Sequence, residues 1–389
     1  MRKWRVPRAP KISATPWTLD ASRLKLFRHG LLKWFQREKR DLPWRLQRDP
    51  YRIWISEIML QQTRVAAVIP YYERFLLRFP SIQVLARAKI ENVLQFWAGL
   101  GYYSRARNLH SAAKQIVARH HGEFPRTMDE AQALSGIGAY TSAAILSIGY
   151  GVPAAVLDGN VARVLARLGA VHGDLRAPEN WSKFVSAAAA LLAVDHPSDW
   201  NEAMMELGAT VCTPRAPQCE VCPVAEYCRA RALGIENDLP AKRVKRAAEE
   251  ITLAAAVLLD PQNRTLLVRP APKSVNAESA ALFSRLWQFP AVVVRSDAES
   301  DIADELKTLL ASKIGGAKLG IQPLNTASHT VTFRKITLAP FIVRVGRLPH
   351  ADGSTKKQIG LKRVAKLAVS SATRKIAALA VAATIHSKN

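Results

Sequence analysis

The chain has 389 residues, 49% of them hydrophobic, which is long for one ordinary domain and rich enough to build cores, so global disorder is not expected. Lys and Arg number 56 against 31 Asp and Glu, a formal net charge of +25 that repels itself in a folded protein unless a polyanion compensates it. Nucleic acid is the first candidate, ahead of a surface kept basic only for solubility, while the absence of an apolar run of membrane-spanning length and a basic start that leads into prolines predict a cytoplasmic protein, with no membrane partner and no secretory signal.

Residues 1–22 read as a basic extension. From about Leu24 to Ala232, apolar residues recur three and four apart, as in Ile53, Trp54, Met59 and Leu60, or Val161, Val164, Leu165 and Leu168, which predicts an all-helical domain. Pro70, Pro80, Pro125 and Pro153 are expected to punctuate helices, and Gly136, Gly138 and Gly159 to mark sharp turns. Glu57 has Ile53, Trp54, Leu60 and Gln61 as helical neighbours. Apolar residues on most sides predict burial, and desolvation would keep its carboxyl protonated near neutral pH, as a general acid requires. The plain alternative is a surface glutamate on an amphipathic helix.

In Leu134-Ser135-Gly136-Ile137-Gly138-Ala139-Tyr140-Thr141, two glycines one residue apart lead directly into the next helix, whose free N–H groups and dipole suit a phosphate. Asp158, in Leu157-Asp158-Gly159-Asn160-Val161, reads as a helix N-cap, which would also fix a carboxylate for steadying a positively charged sugar.

All four cysteines fall in one loop, Cys212, Cys219, Cys222 and Cys228, spaced C-x6-C-x2-C-x5-C. Such clustering predicts a four-thiolate metal site rather than disulfides, with zinc and an iron–sulfur cluster both open on spacing. The charged stretch Lys242–Glu250 reads as linker. Beyond it, Ile251–Leu259, Thr265–Val268, Ala291–Arg295 and Ile336–Val345 read as strands and Asp301–Lys313 as an amphipathic helix, a smaller α+β domain. From Gly353 onward a basic, alanine-rich tail is expected to form one helix.

The cysteine spacing at the end of a helical domain resembles the 4Fe–4S loop of the endonuclease III superfamily of DNA glycosylases. Leu134–Thr141 resembles that superfamily's helix-hairpin-helix motif, L-P-G-x-G, with Ser135 where proline is usual. Ser56-Glu57-Ile58-Met59-Leu60-Gln61-Gln62-Thr63, together with Gly99-Leu100-Gly101-Tyr102-Tyr103 and Asn201-Glu202-Ala203-Met204-Met205-Glu206-Leu207-Gly208, resembles the MutY family of adenine DNA glycosylases, densely from about Leu42 to Arg229.

The resemblance implies a multidomain protein: an all-α helix-hairpin-helix glycosylase domain over 23–232 with a 4Fe–4S loop, then a linker over 233–249. A smaller α+β Nudix-like domain would follow over 250–350, and a basic tail over 351–389. Within the first domain it implies a six-helix subdomain at about 51–155 and an iron–sulfur subdomain from 23–50 plus 156–232. Glu57 would protonate the departing adenine and then activate water, Asp158 would stabilise the sugar cation, Asn160 would orient the site, and Gln62 and Tyr102 would enter the base stack. Gly136, Gly138 and Arg215 would touch the DNA backbone, and Cys212, Cys219, Cys222 and Cys228 would ligate the cluster.

Members of the superfamily that also cut the strand carry a lysine where Tyr140 stands, and some adenine glycosylases carry one where Ala162 stands, so a monofunctional enzyme is implied. Tyr140 is expected either to hydrogen-bond the carboxylates or simply to pack. Leu286-Trp287-Gln288-Phe289-Pro290 resembles the L-W-x-F-P segment of the family's Nudix-like domain. Its magnesium-binding carboxylates are missing, so no pyrophosphohydrolase activity is implied. His329-Thr330-Val331-Thr332-Phe333 matches the loop that senses 8-oxoguanine, with Thr332 and Phe333 in place of Ser and His, which bears on discrimination more than on adenine removal. The implied partner is double-stranded DNA carrying 8-oxoguanine:A or G:A mispairs, bound by a monomer. An endonuclease III-like pyrimidine-lesion glycosylase/lyase and a non-catalytic iron–sulfur DNA-binding protein are the alternatives.

Overall fold

The computed structural model describes residues 17–241, 247–269, 286–295, 298–314, 320–331 and 333–386. Its helices are α1 (Ala21–Glu38), α2 (Pro50–Leu60), α3 (Val65–Arg78), α4 (Ile82–Arg87), α5 (Ile90–Trp97), α6 (Ser104–Arg119), α7 (Met128–Gln132), α8 (Ala139–Tyr150), α9 (Gly159–Leu168), α10 (Pro178–Leu191), α11 (Pro197–Thr210) and α12 (Arg229–Ala232). They are followed by strands β1 (Glu249–Leu259), β2 (Arg264–Val268) and β3 (Ala291–Val294), helix α13 (Glu299–Ile314), strands β4 (Ile321–Pro323), β5 (Ala327–Val331), β6 (Arg334–Arg344) and β7 (Lys356–Gly360), and helix α14 (Ser371–His386). The chain divides into two compact units, Met1–Gln62 with Gln115–Val244, and Thr63–Lys114 with Lys245–Asn389.

The first unit is helical, as its periodicity predicts. Asp20 caps α1 on the Arg23 N–H, and that helix buries Phe27, Leu31, Trp34 and Phe35, residues four, three and one apart that form a single stripe. Asp49 caps α2 on the Arg52 N–H and Pro50 fills its first position, where no N–H partner is needed. The stripe of α1 meets Val161, Leu165, Phe184, Trp200 and Leu207 in one core. Helix α8 is buried on every side from Thr141 to Ile148 and stops at Gly151, whose φ of 70° suits glycine.

In the second unit, Phe75 of α3 packs on Phe79 and Trp97, with ring centroids 4.8 and 6.0 Å apart. Pro70 lies inside α3 instead of ending a helix. The main sheet runs β3-β1-β6-β4, with β5 also paired to β6, and a two-stranded ribbon pairs β2 with β7. Strands β1 and β6 are parallel along their whole length. Side chains of β1 alternate between two cores, Ile251, Leu253, Ala255, Val257 and Leu259 beneath α14, and Ala254, Ala256 and Leu258 beneath α13. Burial on both faces is why its sequence is a continuous apolar run.

Two further expectations need correction. The linker does not reach Glu250, because Glu249 and Glu250 already belong to β1, tied to Arg334 at 2.8 Å and Lys335 at 2.9 Å. Nor do the residues from Gly353 form one helical tail: β7 pairs with β2, a 3₁₀ turn follows at Leu361–Lys366, and only then does α14 begin. Leu361, Val364, Val369, Ala372 and Ile376 lie in the same core as β1, so this segment completes the α+β lobe.

Candidate active site and cysteine loop

Glu57 lies in the last turn and a half of α2 and is 7% exposed. Tyr140, the second residue of α8, donates its hydroxyl to Glu57 Oε2 at 2.6 Å, and the same hydroxyl oxygen lies 3.7 Å from Met205 Sδ. Burial pushes the Glu57 carboxyl up to about 7; the Tyr140 hydrogen bond opposes the rise, and the negative charges of Asp158 and Glu202 add to it. Burial together with Glu57 and Asp158 holds the Tyr140 hydroxyl well above its ordinary range, so it stays a proton-bearing donor.

Asp158 caps α9. Its Oδ1 accepts from the Val161 N–H at 2.7 Å and its Oδ2 from Asn160 Nδ2 at 3.0 Å, while burial raises its carboxyl against these donors. Asn160 is itself oriented, because its Oδ1 accepts from Arg163 Nη2 at 3.0 Å. Arg163 also donates to the carbonyls of Gly208 at 2.7 Å and Cys212 at 2.9 Å, which joins the carboxylate's support to the start of the cysteine loop. Helices α9 and α11 approach so closely here that a Cβ on Gly208 would lie 2.8 Å from Asn160 Cβ.

Glu202 and Glu206 entered the sequence reading only as part of a motif, yet both are buried on α11. Glu206 accepts from Arg40 Nε at 2.6 Å and Arg45 Nη2 at 2.9 Å, and Arg45 Nε reaches Glu202 at 3.0 Å. Burial alone would raise Glu206, but the two guanidiniums hold it at about 2, while burial leaves Glu202 raised. The available signal was the one used for Glu57, an acid among apolar helical neighbours, here present twice at a spacing of four.

At the hairpin, Gly136 has φ 77°, a conformation that favours glycine, and Gly138 precedes α8 with open space where a Cβ would project. The Ser135 N–H donates to Gln115 Oε1 at 2.8 Å, a bond proline could not make. Gln62 is exposed, with φ 57°, and Arg215 is exposed beside Cys212. In the second unit, Tyr102 has φ 46° and is 40% exposed, with the Arg105 guanidinium 5.4 Å from its ring. Phe333 is half-buried with Arg334 5.2 Å from its ring, and Thr332 lies outside the described residues. The structure thus pairs Tyr140 with the buried Glu57 and Asn160 with Asp158, whose charge acts on both members of the first pair, and leaves Gln62, Tyr102 and Arg215 on the surface.

The four cysteines are unpaired thiols around two 3₁₀ turns, Cys219–Val221 and Ala225–Tyr227. All four line one small pocket together with Arg167. The Arg167 guanidinium is buried; its Nη1 lies 3.2 Å from Cys212 Sγ, whereas Nη2 has no protein partner. Burial pushes the Cys222 thiol up to about 12 and raises Cys219 and Cys228, so turning this pocket into thiolates needs metal charge beside them. A buried guanidinium that lines the same pocket as four thiols and keeps one nitrogen unpartnered fits an anionic thiolate cluster.

Residues 55–186 match the HhH-GPD superfamily of base excision DNA repair proteins, and residues 212–228 match the iron–sulfur binding domain of endonuclease III. The cofactor is a 4Fe–4S cluster. The adenine DNA glycosylase of Homo sapiens is 47% identical over 54% of this chain and 40% of its own length. That of Mus musculus is 32% identical over 94% of this chain and 80% of its own length, and that of Buchnera aphidicola subsp. Baizongia pistaciae is 32% identical over 70% and 75%. The chain therefore spans less than half of the human relative and most of the mouse and Buchnera ones. A thermostable thymine-DNA glycosylase of known structure, 28% identical, superposes on 55% of this chain and 98% of its own with a TM-score of 0.50. No described helix is long and apolar enough to cross a membrane. With the mouse and Buchnera relatives matched over most of their length, this chain belongs to the adenine DNA glycosylase family.

Proposed function

We propose that the chain hydrolyses the N-glycosidic bond of adenine mispaired with 8-oxoguanine or guanine in double-stranded DNA. The observation that carries this reading is Glu57, held by Tyr140 at 2.6 Å and raised to about 7 by burial and by the charge of Asp158, the cap of α9. A carboxyl titrating near neutral pH serves as acid in one step and base in the next. Protonated Glu57 gives its proton to a ring nitrogen of adenine, and the bond between sugar and base breaks with its electrons leaving on the base. Asp158, fixed by the Val161 N–H and by Asn160, steadies the cationic sugar that remains. Glu57, now ionised, takes a proton from water as its oxygen joins the anomeric carbon, leaving an abasic site.

Tyr140 and Ala162 supply no amine, so no Schiff base forms and the strand is not cut by β-elimination. Cys212, Cys219, Cys222 and Cys228 would hold the 4Fe–4S cluster, which supplies a fixed, redox-active brace for the loop carrying Arg215. Gln62 and Tyr102 would enter the stack as adenine is extruded, and Gly136 and Gly138 would receive a phosphate. The lobe from Glu249 through His386 would serve as a Nudix-like lesion-recognition domain, with Thr332 and Phe333 in its sensing loop. The protein acts as a monomer in the compartment that holds DNA, the cytoplasm in a bacterium.

Single-turnover base release from 8-oxoguanine:A and G:A duplexes tests the reading. Adenine release by the parent and a loss of roughly 10²–10⁴-fold in Glu57→Gln are expected. Efficient borohydride trapping on an abasic duplex would point to the lyase instead, and duplex binding without base release to a non-catalytic protein.

A further inference from the structure

The loop between α5 and α6 carries Tyr102 through three left-handed backbone positions, Gly99 at φ 117°, Gly101 at 73° and Tyr102 itself at 46°. Such a path persists only where neighbours hold it. Most of the hold is local: Trp97 Nε1 donates to the Gly101 carbonyl at 3.1 Å, and Arg105 Nη2 reaches Thr63 Oγ1 at 3.2 Å and the carbonyls of Leu100 and Gly101 at 3.4 Å. One tie is remote. The buried Tyr103 hydroxyl accepts from the Gly99 N–H at 3.3 Å and donates to the carbonyl of Val369, 266 residues away, at 3.4 Å.

Val369 is not an incidental partner. It is fully buried, bridges Trp287, and stands next to Ser370, whose hydroxyl accepts from the Thr373 N–H in the first turn of α14. It shares one core with Ile336 and Leu338 of β6, the strand that begins just after Phe333. Trp287 carries a second tie, since Arg269 lies 4.4 Å from its ring and extends Nη1 to Glu91 Oε1 at 3.3 Å, in the first turn of the helix that leads into the Tyr102 loop. The C-terminal lobe therefore grips this segment at Glu91 and Tyr103, on either side of Tyr102. Both bonds of the Tyr103 hydroxyl are long, so a small shift of the lobe makes or breaks them.

We propose that Tyr103 is a positioning residue through which the C-terminal lobe sets the pose of the Tyr102 loop, passing what the lobe meets opposite the adenine to the side chain that enters the stack. This rests on the reading of the chain as a duplex-DNA glycosylase. It differs from a packing role because the ring alone would pack, whereas the hydroxyl makes the link.

The test is a double-mutant cycle in the full, cluster-loaded protein, with Tyr103→Phe placed in the parent and in Tyr102→Ala. It is read by single-turnover adenine release and by the fluorescence rise of 2-aminopurine set opposite 8-oxoguanine. Tyr103→Phe should cut both about fivefold in the parent and less than twofold in Tyr102→Ala, with the cluster's visible absorption unchanged. Equal losses in the two backgrounds, or no loss in the parent, overturn the proposal. Should Tyr103→Phe fail to fold, Arg269→Gln cuts the second tie outside the loop, and the same cycle decides. If the parent releases no base from any mispair, the functional reading fails on its own, and the fluorescence cycle still judges Tyr103.

Discussion

Replacing Glu57 with glutamine should cut base release by orders of magnitude and make the protein gain stability relative to the parent as pH rises, a signature that identifies the cause. The unfolded chain holds this proton with an affinity near 4.5 and the folded one near 7. Between those values the native state keeps a proton that the unfolded state releases, so stability falls as pH rises. At 1.36 kcal/mol per tenfold difference in proton affinity the loss reaches about 3 kcal/mol above pH 7. The sign is opposite to that of Glu206, held at about 2 by two arginines, whose contribution is present above 4.5 and lost toward pH 2. The amide of the variant has no such proton to lose. The gap between variant and parent should therefore widen by about 2 kcal/mol from pH 5.5 to 8.5, whatever constant offset the new amide introduces. Urea unfolding followed by tryptophan fluorescence at several pH values reads it directly. Curves that stay parallel across that range would refute the reasoning, because they would mean that Glu57 is not desolvated as an anion.

Tyr140→Phe removes the donor to the Glu57 carboxylate while keeping the ring. A hydrogen bond to a charged group contributes about 1.5–3 kcal/mol, so the alkaline limb of the single-turnover rate should move up from about 7 by roughly one to two pH units. Asp158→Asn preserves a cap for α9 but not the charge, and should lower the rate by roughly 10²–10³-fold with stability nearly intact; Asp158→Ala should add a loss of about 1 kcal/mol in chemical unfolding. Arg167→Met strips the guanidinium from the cysteine cavity, and the visible absorption of the loaded protein should then bleach faster under a chelator than in the parent.

What could be read without coordinates was whatever depends on near neighbours in the chain. Asp158 as a cap, the buried face of Val161, Val164, Leu165 and Leu168, and the burial of Glu57 follow from spacings of three and four. The readings that failed were those set by partners far along the chain. Nothing local in Lys356–Gly360 says strand; it becomes one because β2, some ninety residues earlier, offers a free edge. Pro70 is the exception: it sits within α3 although proline usually ends a helix, because its own near neighbours continue the buried stripe of Val68, Tyr72 and Phe75. The arginines that matter to the site, Arg40, Arg45, Arg163 and Arg167, were lost among the 56 cations counted in bulk.

Those arginines also explain how a protein with several acids near one buried point remains folded. Glu206 is matched by Arg40 and Arg45, and Glu202 by Arg45, whereas Glu57 has only a neutral phenol and Asp158 only amide donors. Full pairing holds Glu206 low and inert, and its absence leaves Glu57 able to take up and release a proton near neutral pH. A basic residue at position 140 would pair Glu57, fix it as an anion, and take away the acid with which the proposed mechanism begins. Under the proposed mechanism, tyrosine there does more than withhold a nucleophile: it holds the carboxyl in place without matching its charge, as a side chain that is to serve first as acid and then as base requires.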